Sequence, residues 1–92
     1  MAWRIVLQPN GKYARFSEVV DNFTHYGMTR DEAFDLCLDE AGRSVANLKL
    51  ANADKWHERF EEDMKTIETI HGKPEADAVR SMMRIQPPKD TP

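Results

Sequence analysis

The residues able to carry chemistry are few, and their spacing is incomplete. His57-Glu58-Arg59-Phe60-Glu61 begins like an H-E-x-x-H zinc helix but carries Glu61 where the second histidine belongs. A metal would receive His57 and Glu61 from one helix face, with no third ligand at an obvious spacing. Trp56 and Phe60 mark the apolar side of that segment, so His57 and Glu61 read as a solvated face. Glu68-Thr69-Ile70-His71 has the E-x-x-H spacing of carboxylate-bridged di-iron sites, which need a second copy and two further carboxylates in a four-helix bundle. His71 reads better as a cation near a helix C-terminus. Cys37 falls on an apolar stripe between Ala33 and Ala41, where a thiol packs as a small hydrophobe and a nucleophile would need a nearby base. Phosphate loops, nucleophile elbows and paired-carboxylate signatures are missing from the sequence. A metal-dependent enzyme using His57, Glu61, Glu68 and His71 is therefore the weakest reading. The expectation is a non-enzymatic chain with no cofactor and no metal.

Binding chemistry is better represented. Residues 1–17 hold Arg4, Lys12 and Arg15 and no acid, with Tyr13 among them. Basic residues interleaved with an aromatic on a sheet face can contact a nucleic-acid backbone and stack on a base. Positive charges on an edge strand also discourage unwanted strand pairing, which is the plainer explanation. Residues 18–41 sum to −6 and residues 54–72 to −3, whereas residues 42–53 add +2 through Arg43 and Lys49 and residues 73–92 add +1. Positive charge thus gathers at the hairpin and the termini and negative charge on the helices. That polarity suits steering onto a partner carrying both signs, such as a ribonucleoprotein.

These side chains must be positioned by a small set of elements. Asn10-Gly11 is a strong hairpin signal, and it predicts strands over Trp3 to Gln8 and Lys12 to Ser17. With Asn10 and Gly11 as a two-residue turn, Leu7 faces Ala14 and Ile5 faces Phe16. Trp3, Ile5, Leu7, Ala14 and Phe16 then share the apolar face, and Arg4, Val6, Gln8, Tyr13, Arg15 and Ser17 the outer one. Val19 and Val20 suggest an optional third strand over Glu18 to Asp21, with Asp21-Asn22 as a turn. Thr29 and Glu32 form a capping box at the head of a helix expected over roughly residues 30–51, bent at Gly42. Its stripe is Ala33, Phe34, Cys37, Leu38, Ala41, Val45 and Leu48. Asn52-Ala53-Asp54 reads as the break before a second helix with the stripe Trp56, Phe60, Met64, Ile67 and Ile70. Gly72 and Pro74 separate a short third helix, about residues 74–85, offering Ala76, Val79, Met82, Met83 and Ile85.

Strands first and helices after define an α+β class. The expected architecture is an N-terminal antiparallel β-hairpin packed against two to three α-helices, one helix on the apolar face and the next on the first. Residues 1–85 form the domain and 86–92 a flexible Pro-rich tail. The chain has 92 residues and a formal charge of −3, and such a length buries only roughly 60–65% of its unfolded surface. Deep enclosed active sites are not expected, and a multi-domain enzyme is excluded. No apolar run approaches the roughly 18 residues of a membrane helix, and the start lacks the apolar core of a secretory signal. One cysteine, Cys37, allows no internal disulfide framework and suits the cytosol.

The opening Trp3-Arg4-Ile5-Val6-Leu7-Gln8-Pro9-Asn10-Gly11-Lys12-Tyr13-Ala14-Arg15-Phe16-Ser17, continuing through Val19-Val20-Asp21-Asn22-Phe23-Thr24 and Met28-Thr29-Arg30-Asp31-Glu32-Ala33, resembles small phage and prophage proteins that open with a Q-P-N-G-K hairpin. The resemblance covers about the first third of the chain. In size and whole-chain character the sequence is similar to anti-CRISPR proteins, in particular inhibitors of the type I-F RNA-guided surveillance complex. That resemblance implies a protein of the host cell cytoplasm that docks on the CRISPR-associated ribonucleoprotein complex and hinders pairing of target DNA with guide RNA. It implies no membrane partner and no small-molecule substrate, and it carries no motif that assigns residues. From the residues themselves, Arg4, Lys12, Tyr13 and Arg15 are the contact candidates for the guide RNA backbone or an acidic subunit surface. Arg43, Asn47 and Lys49, around the helix bend, are secondary candidates. The alternative is a small phage regulator or adaptor that binds nucleic acid directly.

Overall fold

The computed structural model describes residues 2–84; the proline-rich tail expected at 86–92, and Ile85, lie outside the described residues. Strands β1 (Trp3–Leu7), β2 (Tyr13–Ser17) and β3 (Asn22–Met28) are followed by helices α1 (Arg30–Ala41), α2 (Arg43–Lys55), α3 (Arg59–His71) and α4 (Lys73–Met83). The fold is α+β, as the order of sequence signals predicts. The sheet is antiparallel with β2 in the centre.

The hairpin forms, but its register is one residue away from the expected one. Leu7 pairs with Tyr13, Val6 with Ala14, Ile5 with Arg15 and Arg4 with Phe16. A type I′ turn needs positive φ at both central residues, and Asn10 does not have it, whereas Gly11 does at +82°. The connection is instead a three-residue loop. The Gly11 N–H donates to the Gln8 carbonyl at 3.0 Å and the Gln8 N–H to the Lys12 carbonyl at 2.8 Å. Pro9 decides this, because its fixed φ suits the first central position of a type I turn, and Gly11 then closes the loop in the left-handed region.

A one-residue slip moves every side chain to the other face. Arg4, Val6, Ala14 and Phe16 therefore share one face, and Trp3, Ile5, Leu7, Tyr13 and Arg15 the other. Both faces are covered. Val6, Ala14 and Phe16 pack with Phe60, Met64 and Ile67 of α3 and Ala76, Val79 and Met83 of α4, with Phe23 against them. Ile5 and Tyr13 pack with Ala33 and Cys37 of α1 and Ala46, Leu50 and Ala53 of α2. The sheet is the middle layer between two helical hairpins, not the floor beneath one. An outer solvated face shared by Arg4, Tyr13 and Arg15 therefore does not exist.

The segment Glu18–Asp21 is the turn, with Asp21 at φ +50°, and the third strand follows it at Asn22–Met28. Register shifts between Tyr13 and Arg15 and between Arg15 and Phe16 leave β3 bulged. Gln8 is buried and holds this irregular strand: its Oε1 accepts from the Gly27 N–H at 2.8 Å while its Nε2 donates to Asn10.

The capping box forms as expected. The Glu32 N–H donates to Thr29 Oγ1 and the Thr29 N–H to Glu32 Oε1, which holds the Glu32 carboxyl below the usual range. The single bent helix over residues 30–51 is in fact two helices. Gly42 has φ +86° and ψ 172°, a conformation that no helix can contain and that L side chains rarely adopt. α2 then runs through Asn52-Ala53-Asp54 to Lys55, so the expected break there is absent. Gly72 repeats the joint between α3 and α4, and Arg80 clamps that hairpin by bonds of 3.1 and 2.5 Å to Glu61. No helix among the described residues is long and apolar enough to cross a membrane.

One polar cluster joins three elements and predicts an acid response. The Tyr13 hydroxyl donates to Asp54 Oδ1 at 2.6 Å and Arg30 Nη2 to Asp54 Oδ2 at 3.0 Å. The Tyr13 bond, supported by Arg30, holds the Asp54 carboxyl below the ordinary aspartate range. Its contribution is present above the unfolded value of about 3.9 and is lost as pH falls through the lower folded value. Urea unfolding measured at successive pH values below about 4 should show stability falling for the native chain. Asp54→Asn should show a shallower fall over the same window, and an identical acid limb would contradict this role.

Candidate functional site

A groove of about 560 Å³ is lined by Arg4, Ile5, Lys49, Asn52, Ala53, Lys55, Trp56, Glu58 and Arg59. Its size lies within the roughly 300–1,000 Å³ of ligand pockets. The layering explains why it exists. α2 lies on one face of the sheet and α3 on the other. The chain between them must pass around the outer edge of β1, leaving a slot whose floor is that edge and whose walls are the two helices.

Each wall has its own chemistry. On the α2 side Lys49 and Lys55 face the slot. Lys49 Nζ donates to the Trp3 carbonyl at 2.8 Å and lies 4.2 Å from the Trp3 ring centroid. Burial, with Arg15 and Arg4 nearby, holds its ammonium below the usual lysine range. Among the described residues neither Lys49 nor Lys55 has a carboxylate within ion-pair distance. On the α3 side Arg59 lies 4.9 Å over the Trp56 ring, and the Trp56 indole N–H donates to Glu62 at 3.3 Å. Trp56 stays 48% exposed although it is held on two sides.

Asp63 stands behind this wall and is 1% exposed. Arg4 reaches it with Nη2 at 2.5 Å and Nε at 3.3 Å, and Arg59 Nε lies 3.4 Å from the same carboxylate. Burial pushes the Asp63 carboxyl above the ordinary range while Arg4 and Arg59 pull it back. Arg4 also pairs with Glu18 at 2.6 Å. The carboxylate thus holds Arg4 by hydrogen bonds and Arg59 by ion pairing alone.

The sequence-derived candidates separate in space. Arg4 and Lys49 meet in the groove. Tyr13 is only 7% exposed, with its hydroxyl committed to Asp54. Arg15 lies on the opposite face from Arg4, paired with Glu40 at 3.0 Å and 4.9 Å from the Trp3 ring centroid. Lys12 is exposed in the hairpin loop, and Arg43 and Asn47 are exposed on α2, outside the groove lining. His57, Glu61, Glu68 and His71 are not gathered: Glu61 is bound by Arg80 and His71 Nε2 meets the Val20 carbonyl at 2.9 Å. Cys37 is buried, and burial raises its thiol.

Sequence reasoning missed Trp56, Lys55 and Arg59. Trp56 fits the helical spacing of Phe60 and Met64, so it reads as core, but it is the residue at which α2 ends and lies on no helix face. Ile70 and Met82 were expected in the stripes for the same reason and are exposed, as is Leu48. A signal was available in the cation and aromatic density of Lys55-Trp56-His57-Glu58-Arg59. What the fold and the groove together define is a small α+β domain presenting a cation-lined slot along a sheet edge. In comparisons with protein-family models, curated proteins and solved structures, nothing matches this chain.

Proposed function

We propose that this chain is a binding inhibitor of the anti-CRISPR kind, which docks without catalysis on the type I-F RNA-guided surveillance complex of a host cell and hinders pairing of target DNA with guide RNA. The single structural observation behind the reading is the slot at the β1 edge, where Arg4, Lys49, Lys55 and Arg59 surround a half-exposed, pinned Trp56. Arginine and tryptophan carry a large share of energy at protein interfaces, and a positively lined cleft steers association with an acidic subunit surface. The resemblance of the Q-P-N-G-K opening to phage proteins supplies the biological setting.

The test is capture of purified surveillance complex by the tagged chain, with target-DNA binding measured in parallel. Capture and loss of target binding are expected, both weakened at least tenfold, about 1.4 kcal/mol, by the double substitution Lys49→Glu and Lys55→Glu. Unimpaired target binding at saturating protein would overturn the proposal. A second reading, direct binding of nucleic acid, is favoured by Trp56 standing among cations, since bases stack on exposed aromatics within basic grooves. It predicts a salt-dependent mobility shift of RNA or DNA by the free protein, and the lack of a shift at low salt would eliminate it.

A further inference from the structure

We infer that the groove receives an extended acidic segment of a partner protein, which adds to the outer edge of β1 as a fourth strand of the sheet. The inference rests on reading the groove as a docking surface and specifies what docks there; it does not depend on the partner being a surveillance complex.

The backbone carries the first part of the argument. The Glu18 N–H donates to the Ala2 carbonyl and the Gln8 N–H to the Lys12 carbonyl. In an antiparallel pair hydrogen-bonded and non-bonded pairs alternate. Residues 2, 4, 6 and 8 therefore direct their backbone groups toward β2, and Trp3, Ile5 and Leu7 direct theirs away from the sheet. Lys49 takes the Trp3 carbonyl. Ile5, whose backbone alternation leaves one donor and one acceptor on the outer edge, lines the bottom of the groove and is 4% exposed.

The two edges of the sheet are not equivalent. β3 is interrupted by two register shifts, and bulges spoil a strand edge as a template. β1 pairs with β2 without a shift over its whole length, so its outer edge keeps a regular spacing of donors and acceptors, of which Lys49 occupies the Trp3 carbonyl.

Charge and alternation then select the occupant. Successive side chains of an added strand point to opposite faces, so one set would meet the α2 wall and the other the α3 wall. The α2 wall holds Lys49 and Lys55, which have no carboxylate partner among the described residues. On the α3 side Arg59 is already associated with Asp63 and Glu62, and Trp56 offers an apolar ring. A strand alternating carboxylates with apolar residues satisfies both. A lysine on an edge repels most strands, but a partner bringing a carboxylate turns that barrier into selectivity. A phosphodiester backbone fits less well, because the outward carbonyl of Ile5 is an acceptor that phosphate oxygens cannot satisfy and a peptide N–H can.

The probe is a fluorescein-labelled peptide alternating valine and glutamate, titrated by anisotropy against the full chain. Binding is expected, with slowed hydrogen exchange at the Ile5 amide on saturation. Methylating the peptide nitrogens that face β1 should abolish binding while leaving charge untouched, and Lys55→Glu, at an exposed position, should weaken it at least tenfold. Equal binding by the methylated peptide would overturn strand addition. So would no binding at millimolar peptide, or preference for a valine–lysine peptide or for single-stranded oligouridine. Peptide binding without inhibition of the surveillance complex would remove the proposed host-defence role and leave this inference standing. Capture of the complex without peptide binding would do the reverse.

Discussion

Phe16→Ala is expected to destabilise the domain by about 3–5 kcal/mol, more than any other single side-chain truncation in the sheet. Phe16 is on the central strand, 1% exposed, in the cluster that joins Val6 and Ala14 to α3 and α4. Its ring meets Phe23 edge-on at 5.3 Å, Phe23 stacks on Phe60 at 5.7 Å, and the Arg4 guanidinium lies 4.6 Å over it. Truncation removes the transfer free energy of the ring and leaves a cavity that the stiff sheet cannot close, and it also removes the aromatic and cation contacts. Small domains are stable by about 5–15 kcal/mol, so the loss is a large fraction of the total. Thermal unfolding should drop by roughly 12–40 °C. Urea unfolding followed by tryptophan fluorescence gives the value directly. A loss below about 1 kcal/mol, the ordinary effect of a point substitution, would refute a sheet packed on this face.

Asp63→Ala is expected to cost about 3 kcal/mol, the lower end of the range for breaking a buried ion pair. The carboxylate is 1% exposed, while the Arg4 and Arg59 side chains that converge on it remain 22% and 24% exposed. Those arginines can recover part of their hydration, which places the effect at the low end. Their positive charges would nevertheless lose a common anchor. Replacing Asp63 and Arg4 together by leucine and methionine should recover part of the loss, because removing both members of a buried pair costs less than orphaning one. A double-mutant cycle built from Asp63→Leu and Arg4→Met in urea measures that coupling, and simple additivity of those two single losses would show that the pair is not coupled. The same substitution should weaken binding at the groove, because Asp63 holds Arg4 on the strand side and Arg59 on the α3 side.

The legibility of the fold in the sequence followed the range of the interactions. The Thr29 and Glu32 side chains each bond to the other's backbone, and their capping box was readable because both partners lie within one turn. Gly42 was readable as a weak point, but whether it bends or ends a helix depends on where α2 packs. Asn10-Gly11 announced a turn, while the choice between a two- and a three-residue loop was made by Pro9 and by apolar partners on both faces of the sheet. A two-sided strand does not show the clean alternation of a half-buried one, and Val6, Arg4 and Phe16 had to be weighed against helices more than forty residues distant. The site was harder to read for the same reason. Arg4 and Lys49 are separated by 45 positions and Arg4 and Arg59 by 55, and no local pattern connects them.

By itself the sequence determined the class, the placing of strands before helices, the hairpin, the cap of α1 and the joint at Gly72, because each is set by backbone preferences and contacts a few residues apart. It also determined that positive charge would be concentrated away from the acidic helices. Only the tertiary structure decided the register, the two-sided burial of the sheet and the placement of Arg4 and Arg15 on opposite faces. It alone assembled Arg4, Lys49, Lys55, Trp56 and Arg59 into one slot. The reason is physical: a side chain's face is fixed by strand parity, and parity is fixed by which helices cover the sheet, an outcome of long-range packing that no window of neighbouring residues contains.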